Sequence, residues 1–63
     1  MNNDITLDQM VKCVEREIGM RERVYPRWVE QKKMLQATAG LELARMRAVR
    51  DVLVDVKNGQ FGT

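Results

Sequence analysis

The 63-residue chain carries few side chains that could make or break bonds. Cys13 is its one thiol, and there is no histidine to serve as a neighbouring base. A thiol becomes a nucleophile when a base or a positive neighbour holds it as thiolate. Cys13 instead lies among Met10, Val11 and Val14, the setting in which cysteine packs as a small inert hydrophobe. One cysteine without histidine cannot close a tetrahedral zinc site, and no glycine-rich phosphate loop is present. The sequence therefore predicts no catalytic residue, no metal and no cofactor: a binding module rather than an enzyme. The chemistry left to it is non-covalent. It resides in charges on apolar faces, Glu17, Arg21 and Glu42, and in the segment Val24-Tyr25-Pro26-Arg27-Trp28-Val29, which holds the only Tyr, Pro and Trp of the chain.

Helices must position these groups. Thr6-Leu7-Asp8-Gln9 fits a capping box, with Gln9 reaching back to the cap. Leu7, Met10, Val11, Val14 and Ile18 follow at helical spacing on one face. Helix 1 is predicted over about 7–24, because proline disfavours a helical conformation at the preceding Tyr25. Proline suits the first position of a new helix, so a short connector helix is expected over about 26–31. Helix 2 is predicted over about 35–57, with Asn58-Gly59 as its stop and a flexible tail over 58–63. Leu35, Ala39, Met46, Val49, Leu53 and Val56 fall on heptad-like spacing, and Leu41, Ala48 and Val52 form a second set beside them.

This pattern gives an all-α fold of one domain, 1–63: a two-helix antiparallel hairpin with a short connector helix, homodimerising into a bundle. A second subunit is expected because a core this small rarely supplies more than about 3–5 kcal/mol, while a lone cysteine excludes an intrachain disulfide. The apolar arc of helix 2 is also wider than one short partner covers, so one edge is assigned to helix 1. The other, Leu41, Arg45, Ala48 and Val52, is assigned to the dimer interface. No apolar run approaches the roughly 20 residues needed to cross a bilayer. The opening Met1-Asn2-Asn3-Asp4 lacks the features of a signal peptide, so the expected location is the cytoplasm.

Arg21 occupies an aliphatic position on helix 1, and Glu42 does the same on helix 2. A hairpin brings late helix 1 near early helix 2, so an Arg21–Glu42 ion pair is one expectation, with Glu17 orienting the guanidinium from one turn away. The other is that Arg21 snorkels to solvent and Glu42 sits at an exposed edge. Aromatics with arginine are enriched at interface hot spots, and this marks Tyr25, Arg27, Trp28 and Met34 as partner-contact candidates. Alternatively the two rings plug the open end of the hairpin. Arg45, Arg47 and Arg50 are candidates for steering an acidic partner.

The residues Arg16-Glu17-Ile18, Met20-Arg21, Val24-Tyr25-Pro26-Arg27-Trp28-Val29, Lys33-Met34, Glu42-Leu43-Ala44 and Met46-Arg47-Ala48-Val49 resemble a family of very small temperate-bacteriophage helical-hairpin proteins that includes a quorum-sensing anti-activator. The resemblance spans residues 13–53. It departs from the family pattern at Leu35, where a polar cap residue is usual. It implies a small dimeric inhibitor of bacterial host proteins, with a LuxR-type transcriptional regulator and the type IV pilus assembly ATPase as targets. The residues themselves leave a nucleic-acid-binding alternative. Arg21, Arg23, Arg27, Lys32 and Lys33 cluster near the connector. The formal charge, however, is only +2, and carboxylates are interleaved, as on a solvated face.

Overall fold

Thr6 opens the first helix as its sequence predicts. Its hydroxyl accepts from the Gln9 backbone N–H at 3.1 Å, and the Gln9 side-chain oxygen accepts from the Thr6 N–H at 2.9 Å. This capping box satisfies two donors that the helix cannot. The computed structural model describes residues 4–59. They form two helices packed against each other, α1 (Leu7–Glu30) and α2 (Gln36–Lys57), and no strand occurs among them. The predicted tail positions 60–63 lie outside the described residues.

The expected break at Tyr25-Pro26 is not there. α1 runs through Pro26 to Glu30, and the segment assigned to a connector helix is its last turn and a half. The reason lies in packing. Leu7, Val11, Val14, Ile18, Arg21 and Tyr25 follow 4-3 spacing, with Val11, Ile18 and Tyr25 buried and the others half-buried. The seam continues past the proline to the half-buried Val29. Ending the helix at Val24 would pull Tyr25 and Val29 away from α2. Burying a large aromatic ring offsets the hydrogen bond that proline removes.

A tight turn follows. The Lys32 N–H donates to the Val29 carbonyl at 3.0 Å, and the Lys33 N–H to the Trp28 carbonyl at 2.9 Å. These are the two bonds of a Schellman motif. The residue after the cap must take the left-handed conformation, and here it is Lys32, with φ 61°. A side chain there costs about 1–2 kcal/mol relative to glycine. Lys32→Gly is therefore expected to stabilise the hairpin by about 1 kcal/mol, seen as a higher urea midpoint at unchanged slope. A lower midpoint would mean that the lysine side chain contributes more than its backbone strain costs.

α2 starts without a side-chain cap, because Leu35 occupies the cap position and offers no acceptor. It ends where predicted: Gly59 takes φ 73° beyond the cap residue Asn58, and its N–H donates to the Val56 carbonyl at 3.1 Å. The seam of α2 is Ala39, Leu43, Met46, Arg50 and Leu53, buried or half-buried. It keeps Ala39, Met46 and Leu53 from the predicted stripe, whose Val56 is half-buried as well. It replaces Leu35 and Val49, both exposed, with Leu43 and Arg50.

The hairpin has two unlike broad faces. Asp8 and Glu22 lie on one side of α1, and each crosses to α2: Lys57 Nζ is 2.7 Å from Asp8 Oδ1, and Arg47 is 2.6 Å from Glu22. These are the only ion pairs joining the helices among the described residues. The Lys57 hydrogen bond foremost, with help from Lys12, holds the Asp8 carboxyl below its ordinary value of 3.8. A depressed carboxylate pKa gives stability that is present above the unfolded value and is lost as pH falls through the folded one. Asp8→Asn should accordingly flatten the fall in Tm on acidification below about pH 4 and leave the neutral-pH side of the profile alone. An unchanged acid limb would show that other carboxylates set it.

Candidate functional site

The turn end of the hairpin gathers the predicted contact residues and sorts them. Tyr25 is 8% exposed and belongs to the core, so it offers no contact surface. It supports its neighbour instead: the Tyr25 and Trp28 ring centroids are 5.9 Å apart, with the planes tilted by 34°. Trp28 is 42% exposed and Arg27 is exposed beside it, while Met34 is half-buried under the turn. Of the two rings, one is the plug and the other faces solvent.

Leu35 adds to the exposed apolar residues of the turn end and is not among the predicted contact candidates. It is 74% exposed, the most exposed large apolar residue among those described. The signal was present in the sequence, since an aliphatic residue at a helix cap position has neither a capping role nor a core to enter. A groove of about 410 Å³ opens on the other side of the turn end, where Tyr25, Pro26 and Val29 face Ala39, Gly40 and Leu43.

The charged network differs from the predicted one. Arg21 and Glu42 do not pair. Arg21 lies 3.6 Å from Glu17, and Glu42 accepts from Arg45 at 2.8 Å. Side chains on a helix lean toward its N-terminus. In an antiparallel hairpin this carries Arg21 away from the turn and Glu42 toward it, so each meets a partner on its own helix. Arg21 and Glu17 remain only 29% and 34% exposed at their side chains.

The expected steering arginines of α2 are engaged within the chain. Arg45 pairs with Glu42, Arg47 with Glu22, and Arg50 with Asp51 at 3.1 Å. The unpaired cations lie elsewhere. Arg16, Arg23 and Arg27 sit exposed along the outer edge of α1, with Lys12 at its start, and Lys32 and Lys33 occupy the turn. Of this row only Lys12 meets a carboxylate among the described residues, Asp8 at 3.4 Å. Spacings of four, seven and four residues align Lys12, Arg16, Arg23 and Arg27, and the row is readable in the sequence once α1 is taken as unbroken.

A second apolar surface begins on the side of α2 turned away from α1. Leu41, Arg45, Ala48 and Val52, assigned to the dimer interface, are all exposed on α2, and Val49 joins them. Leu53 belongs to two shallow hollows at once. One is shared with Ala48, Val49 and Val52, the other with Ile5, Met10, Cys13 and Val14 of the N-terminal half. The apolar surface thus runs from one helix to the other. Cys13, expected to pack among its apolar neighbours, is exposed instead. No group of acidic or cysteine residues that could hold a metal ion occurs among the described residues, nor does a helix long and apolar enough to cross a membrane.

Comparison with family models, with curated proteins and with solved structures finds no match to this chain.

Proposed function

We propose that this chain is a small homodimeric inhibitor that works by binding other proteins. On the resemblance in its sequence, it is a phage-encoded anti-activator that docks on a LuxR-type transcriptional regulator in the host cytoplasm and also on the type IV pilus assembly ATPase. One observation carries the binding part: the turn end presents Trp28 and Leu35 to solvent beside the unpaired cations Arg27, Lys32 and Lys33. An exposed aromatic anchor next to arginine is the composition of an interface hot spot, and the cations suit a partner with an acidic rim. Inhibition is by occlusion: the dimer covers the surface with which the regulator holds DNA.

The test is displacement of a purified LuxR-type regulator from a labelled operator duplex. Wild type should release the duplex, and the Arg27→Ala, Trp28→Ala double variant should need at least about 10-fold more protein, as expected for loss of hot-spot residues. Circular dichroism should show the variant's helices intact. If wild type leaves the regulator on its DNA, the anti-activator reading fails.

A second reading is favoured by the basic row Lys12, Arg16, Arg23 and Arg27: a small nucleic-acid-binding accessory protein. It requires that the chain alone bind duplex DNA, with an affinity that falls steeply with salt as condensed counterions are released. No binding at low salt dismisses it.

A further inference from the structure

The flank of α1 on the face without crossing ion pairs carries Met10, Val14, Glu17, Arg21, Val24 and Trp28 at 4-3-4-3-4 spacing. Met10 and Trp28 are exposed, and the four between them are half-buried. Read along the helix, the order is apolar, apolar, acidic, basic, apolar, apolar. Read backward, it is the same pattern with the two charges exchanged. A stripe of this kind is complementary to itself when two copies run antiparallel, since a two-fold contact sets each residue against a counterpart equally far from the axis.

We propose that two copies of this hairpin join through this face with their α1 helices antiparallel, so that Glu17 of each copy meets Arg21 of the other, Val14 meets Val24, and Met10 meets Trp28. The inference rests on the homodimer part of the function proposed above and assigns its face and direction.

Three observations select a second copy as the occupant. The first is charge. Within one chain the Arg21–Glu17 distance is 3.6 Å, longer than a charge-assisted hydrogen bond of roughly 2.7–2.9 Å, and Arg21 makes no side-chain hydrogen bond among the described residues. Covering a guanidinium is tolerable when a second carboxylate completes its bonding, and the facing copy supplies one. The second is area. The hairpin measures 41 × 26 × 18 Å, so its broad face can supply the roughly 800 Å² per partner of a standard stable interface. Val49, Val52 and Leu53 extend the apolar contact onto α2. The third is the poverty of the core. Val11, Ile18, Tyr25 and Ala39 are the buried hydrophobics of the described hairpin, and no side chain is fully buried.

Direction follows from the register. Asp8 reaches Lys57 and Glu22 reaches Arg47 across the hairpin. If α1 lay beside α2 of the other copy at matching heights, this register would bring Arg21 toward Arg45 and Glu42 toward Val24. The antiparallel α1 pairing avoids both conflicts. It also sets the two turn ends at opposite ends of the assembly, so Trp28 serves both the interface edge and the contact surface of the proposed function.

The experiment therefore uses Glu17 and Arg21, which only the interface reading employs. Glu17→Arg and Arg21→Glu are made as separate full-length variants and examined alone and mixed, by sedimentation equilibrium and native mass spectrometry. Each alone places like charges together and should raise the dimer dissociation constant at least about 10-fold. The equimolar mixture should form a one-to-one heterodimer as tight as wild type within a few-fold. A charge-neutral companion uses Val14→Cys and Val24→Cys, each on a Cys13→Ser background, and on mild oxidation the mixed disulfide should outnumber either self-linked product. Dimers that persist in both charge variants with no preference for mixing, or self-linked products in excess, overturn the proposed face while leaving the dimer standing. A wild-type chain that stays at monomer mass up to millimolar concentration overturns the dimer and this inference with it.

Discussion

Tyr25→Ala is expected to leave the chain largely unfolded at room temperature. Truncating a buried aromatic typically costs about 3–5 kcal/mol, and a core of this size supplies about as much in total. Tyr25 is one of only four buried hydrophobics described, and it anchors the turn end of α1 against the region of Ala39 and Leu43. The readout is the helical signal in circular dichroism, followed by a urea titration at fixed protein concentration, since the proposed dimer would make stability concentration-dependent. Trp28→Ala is the control. Its ring is far more exposed, so that variant should keep its helices and lose at most a modest part of its stability. Equal effects from the two rings would mean that Tyr25 is not the core residue its burial makes it.

The second large effect has the opposite sign. Pro26 sits inside α1, where it has no N–H to offer the Glu22 carbonyl and its ring crowds the preceding turn. Proline in a helix interior costs about 3 kcal/mol or more, and a domain of this size gains about 4–8 °C in Tm per kcal/mol. Pro26→Ala should raise Tm by on the order of 10 °C with unchanged helix boundaries. A lowered Tm would show that the ring's packing beside Val29 and Leu43 outweighs the missing hydrogen bond. The comparison also tests whether the proposed binding surface depends on the proline, because Arg27 and Trp28 follow it directly.

Much of the hairpin was legible in the residues. The capping box at Thr6 and Gln9 is a local signature, and it forms as written. So does the stop at Asn58-Gly59, where only a left-handed conformation is required. The misreading at Tyr25-Pro26 has a general cause. Proline rules describe local cost, whereas the burial of Tyr25 and Val29 is a tertiary gain invisible to a five-residue window. The Arg21–Glu42 pair failed because the register of the Asp8–Lys57 and Glu22–Arg47 pairs already sets Glu42 nearer the turn than Arg21, and the lean of side chains along antiparallel helices separates the two heads further. Spacing alone also left two near-equivalent stripes on α2. Which one faces α1 was decided by Leu43 and Arg50, neither of which a search for aliphatic heptads selects as a pair. Of the contact candidates, Arg27 and Trp28 stand on the surface. Tyr25 went inward because it continues the seven-residue spacing of the buried Val11 and Ile18, whereas Trp28 falls on the flank.

The Schellman turn at Lys32 and Lys33 also bears on how fast the chain assembles. All packing in the described hairpin is between two consecutive helices joined by a short connection, the topology with the lowest sequence separation between contacts and the fastest folding, in microseconds to milliseconds. Tyr25 and Ala39, flanking the turn, meet after closure of a loop of a size that takes on the order of 100 ns. Contacts are then expected to zip away from the turn toward the Asp8–Lys57 pair, which should close last and open first. Unfolding should therefore begin where the two ends of the hairpin meet, and amide exchange should be quickest near Leu7 and Lys57 and slowest around Ile18 and Tyr25.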